Sequence, residues 1–191
     1  MKATILRSID EHARALRVLR EQLVPQVGDM SKRMLERVQQ GGTVFWCGNG
    51  GSASDAEHLA AELVGRFNRE RNALSSVALT ANTSTLTSIG NDYGFDDVFT
   101  RQVQGLVRAG DVLVGLSTSG NSENVLRAVD RANGQGALTI GLLGRDGGRI
   151  AQRCALSVVV PVDDTARIQE MHILIGHIVC DLIEQACTGT A

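Results

Sequence analysis

The sequence predicts an α/β protein built on a parallel sheet, because short apolar segments alternate with helical segments over most of the chain. From residue 43 onward, apolar runs rich in Val, Leu and Ile are separated by stretches whose apolar residues recur at helical spacing. Continuous apolar strands of this kind are typical of parallel sheets that are covered by helices on both faces. We therefore predict a doubly wound, five-stranded parallel sheet, with residues 1–191 forming a single domain.

The predicted elements follow one another in chain order. Strands are expected at 44–47, 76–79, 112–116, 138–142 and 156–160. Helices are expected at 53–66, 84–91, 97–107, 122–133, 148–153 and 165–186, and the polar run NRERNA at 68–73 is interpreted as a connector. Ahead of this α/β core at 43–191, residues 1–40 carry two helical patterns, at 4–23 and 25–39, which we expect to form a hairpin.

Composition excludes several classes of partner. The net charge is -2, only 3% of residues are aromatic and no Lys/Arg block occurs, whereas nucleic-acid surfaces are basic and often carry stacking aromatics. The first residues are charged, unlike a signal peptide, and no apolar run has the length of a membrane span. The four cysteines lack CxxC spacing and are typical of reduced thiols. We expect a cytoplasmic protein that binds neither nucleic acid nor membranes directly.

The first candidate site lies in the stretch TVFWCGNGGSASDAEHLAAEL, at residues 43–63. A predicted strand runs into a glycine-rich loop and then into a helix, so backbone N–H groups at the helix start can bind an anionic or hydroxyl-rich ligand. The candidate binding residues of this loop are Asn49, Gly50, Gly51 and Ser52. His58 and Glu62, at i and i+4, leave one face of the helix and are a candidate half of a metal or acid/base site.

The second candidate site is the loop STSGNS, which follows the apolar strand at 112–116 and precedes a helix. Capping of that helix would account for one hydroxyl, whereas four hydroxyls and a glycine at a helix N-terminus favour a phosphate cradle. The candidate ligands are Ser117, Thr118, Ser119 and Ser122. Both loops follow strands of one parallel sheet, so we expect them to face the same crevice.

The motifs GNGGSASDAEH and STSGNSENV, taken together, are similar to those of the sugar isomerase (SIS) family. The segments IGNDYGFDDVFTRQV, GRDGG and RIQEMHILIGHIV extend the resemblance to the phosphoheptose isomerases of that family, over nearly the whole chain. This resemblance implies a flavodoxin-like SIS domain, a homotetramer with active sites at subunit boundaries, and a phosphosugar substrate. It also implies conversion of sedoheptulose 7-phosphate into D-glycero-D-manno-heptose 7-phosphate through an enediolate, an early step towards the heptose of bacterial lipopolysaccharide.

The resemblance further implies roles for individual residues. A divalent metal, with zinc as the expected ion, would be bound by His58, Glu62, Gln169 and His177. Glu62 would be the catalytic base at carbon, and His177 the acid/base at the oxygens. Further contacts with substrate are implied for Arg66, Asn91, Asp92 and Gln169.

Two details of this assignment remain open. Helical spacing alone favours Glu170 over Gln169 as the partner of His177, because residues at i and i+7 are nearly in line. Ala166 stands where some relatives carry an active-site aspartate. Either Asp163 or Asp164 supplies the contact of that aspartate, or the chain functions without this contact.

Three other functions compete with the isomerase. GNGGSA fits the dinucleotide fingerprint, but no carboxylate for a ribose follows the next strand, where the sequence is Thr80-Ala81-Asn82. Some relatives of the isomerase are scaffolds that bind a replication initiator and lack part of the metal-binding set, which is complete in this chain. Other SIS proteins isomerise or sense different phosphosugars.

Overall fold

The computed structural model describes residues 1–188 and contains a five-stranded sheet in the order β2-β1-β3-β4-β5, in which every neighbouring pair is parallel. The strands are β1 Val44–Cys47, β2 Ser76–Ala78, β3 Val112–Ser117, β4 Leu138–Gly144 and β5 Leu156–Val160. The helices are α1 Lys2–Val18, α2 Val24–Gln39, α3 Gly51–Val64, α4 Thr83–Asp92, α5 Thr100–Leu106, α6 Glu123–Gly134, α7 Gly148–Ala151 and α8 Thr165–Cys187. The predicted sheet is confirmed, and each strand bound agrees with its prediction to within two residues.

Alternate side chains of the central strands enter two separate apolar cores, one on each face of the sheet. In β1, Val44 and Trp46 belong to the core covered by α1, α2, α3 and α8, while Phe45 and Cys47 belong to the core covered by α5, α6 and α7. Strands β1, β3 and β4 are buried along their whole length. Burial on both faces explains why these strands read as uninterrupted apolar runs.

The predicted N-terminal hairpin is wrong. Residues 2–39 are helical without a break, because a π-helical segment, Leu19–Leu23, joins α1 directly to α2. Pro25 lacks an N–H and would clash with the carbonyl four residues earlier in a regular α-helix, and a π-helical turn removes that conflict without reversing the chain. Both halves of the resulting long helix pack against α8.

The direction in which strands are added to the sheet reverses between β1 and β3. Helix α3 connects β1 to its neighbour β2 on one side, whereas α6 connects β3 to β4 on the other side. Cys47, at the end of β1, pairs with Gly115 in β3, so the loops that follow these two strands are neighbours. Ligands of doubly wound sheets bind at such a switch point. Among the described residues, no helix is both long enough and apolar enough to cross a membrane.

Candidate active site

A reciprocal pair of side-chain amides joins the two predicted loops. Asn49 Nδ2 donates to Asn124 Oδ1 and Asn124 Nδ2 donates to Asn49 Oδ1, each at 2.9 Å. Asn124 lies in the first turn of α6, is buried, and was not predicted as a site residue. The two predicted loops are therefore direct neighbours, and Asn49 contributes to holding them together.

The hydroxyl-rich loop after β3 brings three serine side chains together. Ser117 Oγ lies 2.9 Å from Ser122 Oγ and 3.5 Å from Ser119 Oγ. Gly120 has φ +65, and a Cβ on it would lie 2.1 Å from the carbonyl oxygen of Gly147, so the loop is packed tightly against the turn before α7. Three neutral hydroxyl donors next to the start of α6 suit a phosphate group, whose charge the helix dipole also stabilises.

His58, Glu62 and His177 form a cluster between α3 and α8. His58 Nε2 lies 3.0 Å from Glu62 Oε1 and 3.4 Å from His177 Nε2, and one potential ligand atom from each residue lies within 4.8 Å of the others. His58 is exposed, whereas Glu62 and His177 are half-buried. The structure thus brings together three of the four residues that the resemblance implies as metal ligands.

The donor set of this cluster fits a divalent metal. Two imidazoles and one carboxylate are a common catalytic zinc set that leaves a position for water or substrate. Burial and the neighbouring His58 lower the pKa of His177 below its ordinary value, and they outweigh the opposing attraction of Glu62. A neutral imidazole is the form that binds a metal.

The fourth implied ligand, Gln169, lies elsewhere on α8. A Cβ added to Gly51 would lie 2.5 Å from Gln169 Nε2, so this side chain packs against the glycine-rich loop. His58 is seven residues further along α3, about 10 Å at 1.5 Å per residue. The contact that the structure shows for Gln169 is thus with the glycine-rich loop, and its role as a ligand stays a prediction.

The alternative ligand, Glu170, is bonded to other partners. Its carboxylate oxygens lie 2.7 Å from His12 Nδ1 on α1 and 2.7 Å from Arg167 Nη2. Glu170 therefore ties α8 to the long N-terminal helix, and it does not belong to the His58–Glu62–His177 cluster.

The region around Ala166 contains one aspartate with a structural role and one near the hydroxyl loop. Asp164 caps α8, since its Oδ1 accepts the N–H of Arg167 at 3.0 Å. Asp163 and Ser119 line the same cavity of about 480 Å³. Asp163 is consequently the better placed of the two to approach a ligand on the loop.

Three further predicted residues lie on exposed helix ends. Arg66 follows α3, and Asn91 and Asp92 end α4, where Asn91 Nδ2 donates to Asp92 Oδ1 at 2.8 Å. In the described part of the chain, no hydrogen bond or ion pair joins them to the loops or the cluster, so their contact with substrate stays a prediction.

The segment after α3, interpreted from sequence as a connector, is fixed to the site. The ring of Phe67 stacks on that of His177, with centroids 5.4 Å apart and an interplanar angle of 28°. The buried Glu184 on α8 accepts N–H groups from Phe67, Asn68 and Arg69 at 2.8, 2.6 and 2.8 Å. A signal was present in the sequence, because Glu184 lies four residues after Cys180 on the apolar face of α8, and a buried carboxylate needs donors.

Comparison with known proteins shows the family of the chain. The SIS domain family matches residues 9–144. The phosphoheptose isomerase of Nitratiruptor sp. is 54% identical over 92% of this chain and 94% of its own length, and that of Pelobacter propionicus is 56% identical over 85% and 86%. The structure of phosphoheptose isomerase from Neisseria gonorrhoeae superposes with a TM-score of 0.92 at 46% identity, covering 96% of this chain and 98% of that one. The structure from Francisella tularensis has a TM-score of 0.93 at 36% identity, covering 96% and 97%. The chain therefore belongs to the phosphoheptose isomerases of the SIS domain family.

Proposed function

We propose that the chain is an aldose–ketose isomerase that converts sedoheptulose 7-phosphate into D-glycero-D-manno-heptose 7-phosphate. The observation that carries the proposal is the combination of a hydroxyl cradle at the start of α6 with the His58–Glu62–His177 cluster on α3 and α8. A phosphosugar has a phosphate at one end and a carbonyl at the other, which suits two such sites: α3 carries His58 and Glu62, and the loop before α3 is joined to the start of α6 by the Asn49–Asn124 pair. The relatives named phosphoheptose isomerase support the same substrate.

The reaction moves a proton between C1 and C2 while the hydroxyl and the carbonyl exchange places. Glu62 is the base that takes the proton from one carbon and returns it to the other. Burial and His58 lower the pKa of His177, which favours the neutral imidazole, and His177 exchanges a proton with the substrate oxygens. The phosphate is bound by the hydroxyls of Ser117, Thr118, Ser119 and Ser122. The sugar is contacted by Asn49, Ser52 and the glycines of the loop between them.

We also propose that His58, Glu62 and His177 hold a divalent metal, with zinc as the expected ion and Gln169 as the fourth ligand. Such an ion would polarise the carbonyl and stabilise the negative charge of the enediolate. The two imidazole Nε2 atoms lie 3.4 Å apart, close enough for one divalent ion to bind both.

The proposed assembly is a cytoplasmic homotetramer with active sites at subunit boundaries. Exposed apolar side chains on the long N-terminal helix support an interface there, since Ile5, Leu6 and Ile9 are 55%, 50% and 57% exposed. A light-scattering mass of four chains would support the tetramer, and a monomer mass would exclude it.

The experiment that tests the function is turnover of sedoheptulose 7-phosphate by the purified protein, before and after chelation and after zinc is added back. Turnover that is lost on chelation and restored by zinc is expected. Turnover that survives chelation would keep the isomerase and remove the metal. Folded protein without turnover in any condition would exclude the isomerase and favour a scaffold or a different phosphosugar.

A further inference from the structure

The His177 ring is held between two other rings. Phe67 covers one face, with centroids 5.4 Å apart and planes inclined by 28°, while His58 meets it edge-on at 5.0 Å and 67°. An imidazole otherwise turns easily about its terminal torsion, which has a broad, two-fold distribution. Stacking against Phe67 limits that rotation and directs Nε2 of His177 towards Nε2 of His58, 3.4 Å away.

The backbone of Phe67 is fixed from α8, the helix that carries His177. Glu184 is fully buried, and its two carboxylate oxygens accept three consecutive backbone N–H groups beginning with that of Phe67. Glu184 lies seven residues after His177, two turns along the same helix. Phe67 is therefore tied to the helix on which its partner ring sits.

The same carboxylate is linked to Glu62 through Arg71. The side chain of Arg71 is 1% exposed, and its Nε lies 3.5 Å from Glu184 Oε1. Its Nη2 donates to the carbonyl oxygen of Glu62 at 2.8 Å. Burying a carboxylate and a guanidinium is unfavourable unless both groups have bonding partners. Glu184 and Arg71 therefore hold the segment after α3 more firmly than a simple connector requires.

We propose that Phe67 is a positioning residue that sets the His177 ring for metal binding, and that Glu184 holds Phe67 in the required place. The inference rests on the metal site of the proposed function. Groups that orient a ligand from outside the metal's own coordination shell typically change metal affinity 10–100-fold when they are removed. Phe67 orients its ligand by stacking, since it has no polar atom to donate.

The test is the zinc affinity of the full chain, measured by competition with a chromophoric chelator. Phe67→Leu keeps an apolar side chain and removes the flat face, so zinc affinity should fall 10–100-fold. Phe67→Tyr restores the ring and should recover the affinity of the wild type. Phe99→Leu is the matched control, because Phe99 is buried in the core on the opposite face of the sheet and its loss should leave zinc affinity unchanged.

A second measurement separates positioning from general weakening of the fold. Urea unfolding of the zinc-free proteins should show both leucine variants folded, and the absorption spectrum of bound Co²⁺ should change only in Phe67→Leu. Wild-type zinc affinity in folded Phe67→Leu, or an equal loss in Phe99→Leu, would overturn the inference, as would a wild type that binds no zinc. A selective loss in Phe67→Leu supports the inference even if the wild type does not turn over sedoheptulose 7-phosphate, a result that would exclude only the isomerase.

Discussion

Replacing Glu184 with glutamine tests whether a buried carboxylate charge, and not side-chain shape alone, holds the segment after α3. Oε2 of Glu184 accepts two N–H groups and Oε1 accepts a third. Glutamine has nearly the same shape but only one acceptor oxygen, so at least one of the three N–H groups must then face an NH2 group. The backbone contact with Phe67 or with its two neighbours is consequently lost.

The expected loss of stability follows from these contacts. One unsatisfied buried donor costs about 1–3 kcal/mol, and each of the two remaining bonds weakens by about 1 kcal/mol when its acceptor becomes neutral. The free energy of unfolding should therefore fall by about 3–5 kcal/mol. Removing one partner of a buried ion pair, here the partner of Arg71, gives the same range.

The loss should also depend on pH. Burial opposes ionisation of Glu184, but the backbone N–H donors and Arg71 outweigh it and lower the pKa of this carboxyl in the folded protein. Because the folded pKa lies below the unfolded value of about 4.3, the stabilisation is present above that pH and is lost as the pH falls through the folded pKa. The difference between wild type and Glu184→Gln should be largest near pH 7 and should shrink below about pH 4.

The assay is urea unfolding followed by circular dichroism at one fixed protein concentration, since association would change apparent stability. Glu36→Gln is the control, because Glu36 is an exposed acid on α2. A Glu184→Gln variant within about 0.5 kcal/mol of wild type at pH 7, the range of surface substitutions, would refute the reasoning. A difference of equal size at pH 7 and at acid pH would refute the role of charge.

Three further predictions concern the site. Glu62→Gln should bind substrate yet lose turnover because the base is gone. Glu57→Gln, on the exposed side of α3, is the control and should keep the turnover of the wild type. Turnover of Glu62→Gln near that level would contradict the mechanism. Ser119→Ala should raise KM with little change in kcat, because one hydrogen bond to a charged phosphate is worth about 1.5–3 kcal/mol; an unchanged KM would remove Ser119 from the cradle. Gly120→Ala should lower Tm by at least about 2–8 °C, since the left-handed backbone alone costs about 1–2 kcal/mol, and an unchanged Tm would contradict the close packing seen there.

Much of the fold could be predicted because the central strands are apolar on both faces. The runs at β1, β3 and β4 therefore indicate strands without knowledge of their neighbours. The join between α1 and α2 could not be predicted, since Pro25 is equally compatible with the first turn of a new helix. Only packing of both halves against α8 distinguishes a continuous helix from a hairpin.

The site was predictable where its residues lie in one contiguous motif. The two loops and the pair His58 and Glu62 could be identified from local spacing, whereas His177 came from the family resemblance. Phe67 and Glu184 were missed because they meet only in the folded chain, more than a hundred residues apart in sequence. A polar segment such as 68–73 gives no local sign that its backbone is held by a distant carboxylate.

The π-helical segment also determines the rotational phase of the long N-terminal helix. Around this segment, the buried residues of the long helix recur every four positions, at Ala15, Leu19, Leu23 and Val27. In a regular α-helix each step of four residues advances about 40°, so three steps would turn the last contact about 120° away from the first. A π-helical turn absorbs about one extra residue, or about 100°, and this nearly cancels the drift. Deleting a single residue there would thus rotate the start of the chain away from α8 by roughly a quarter of a revolution, even though every apolar side chain had been kept.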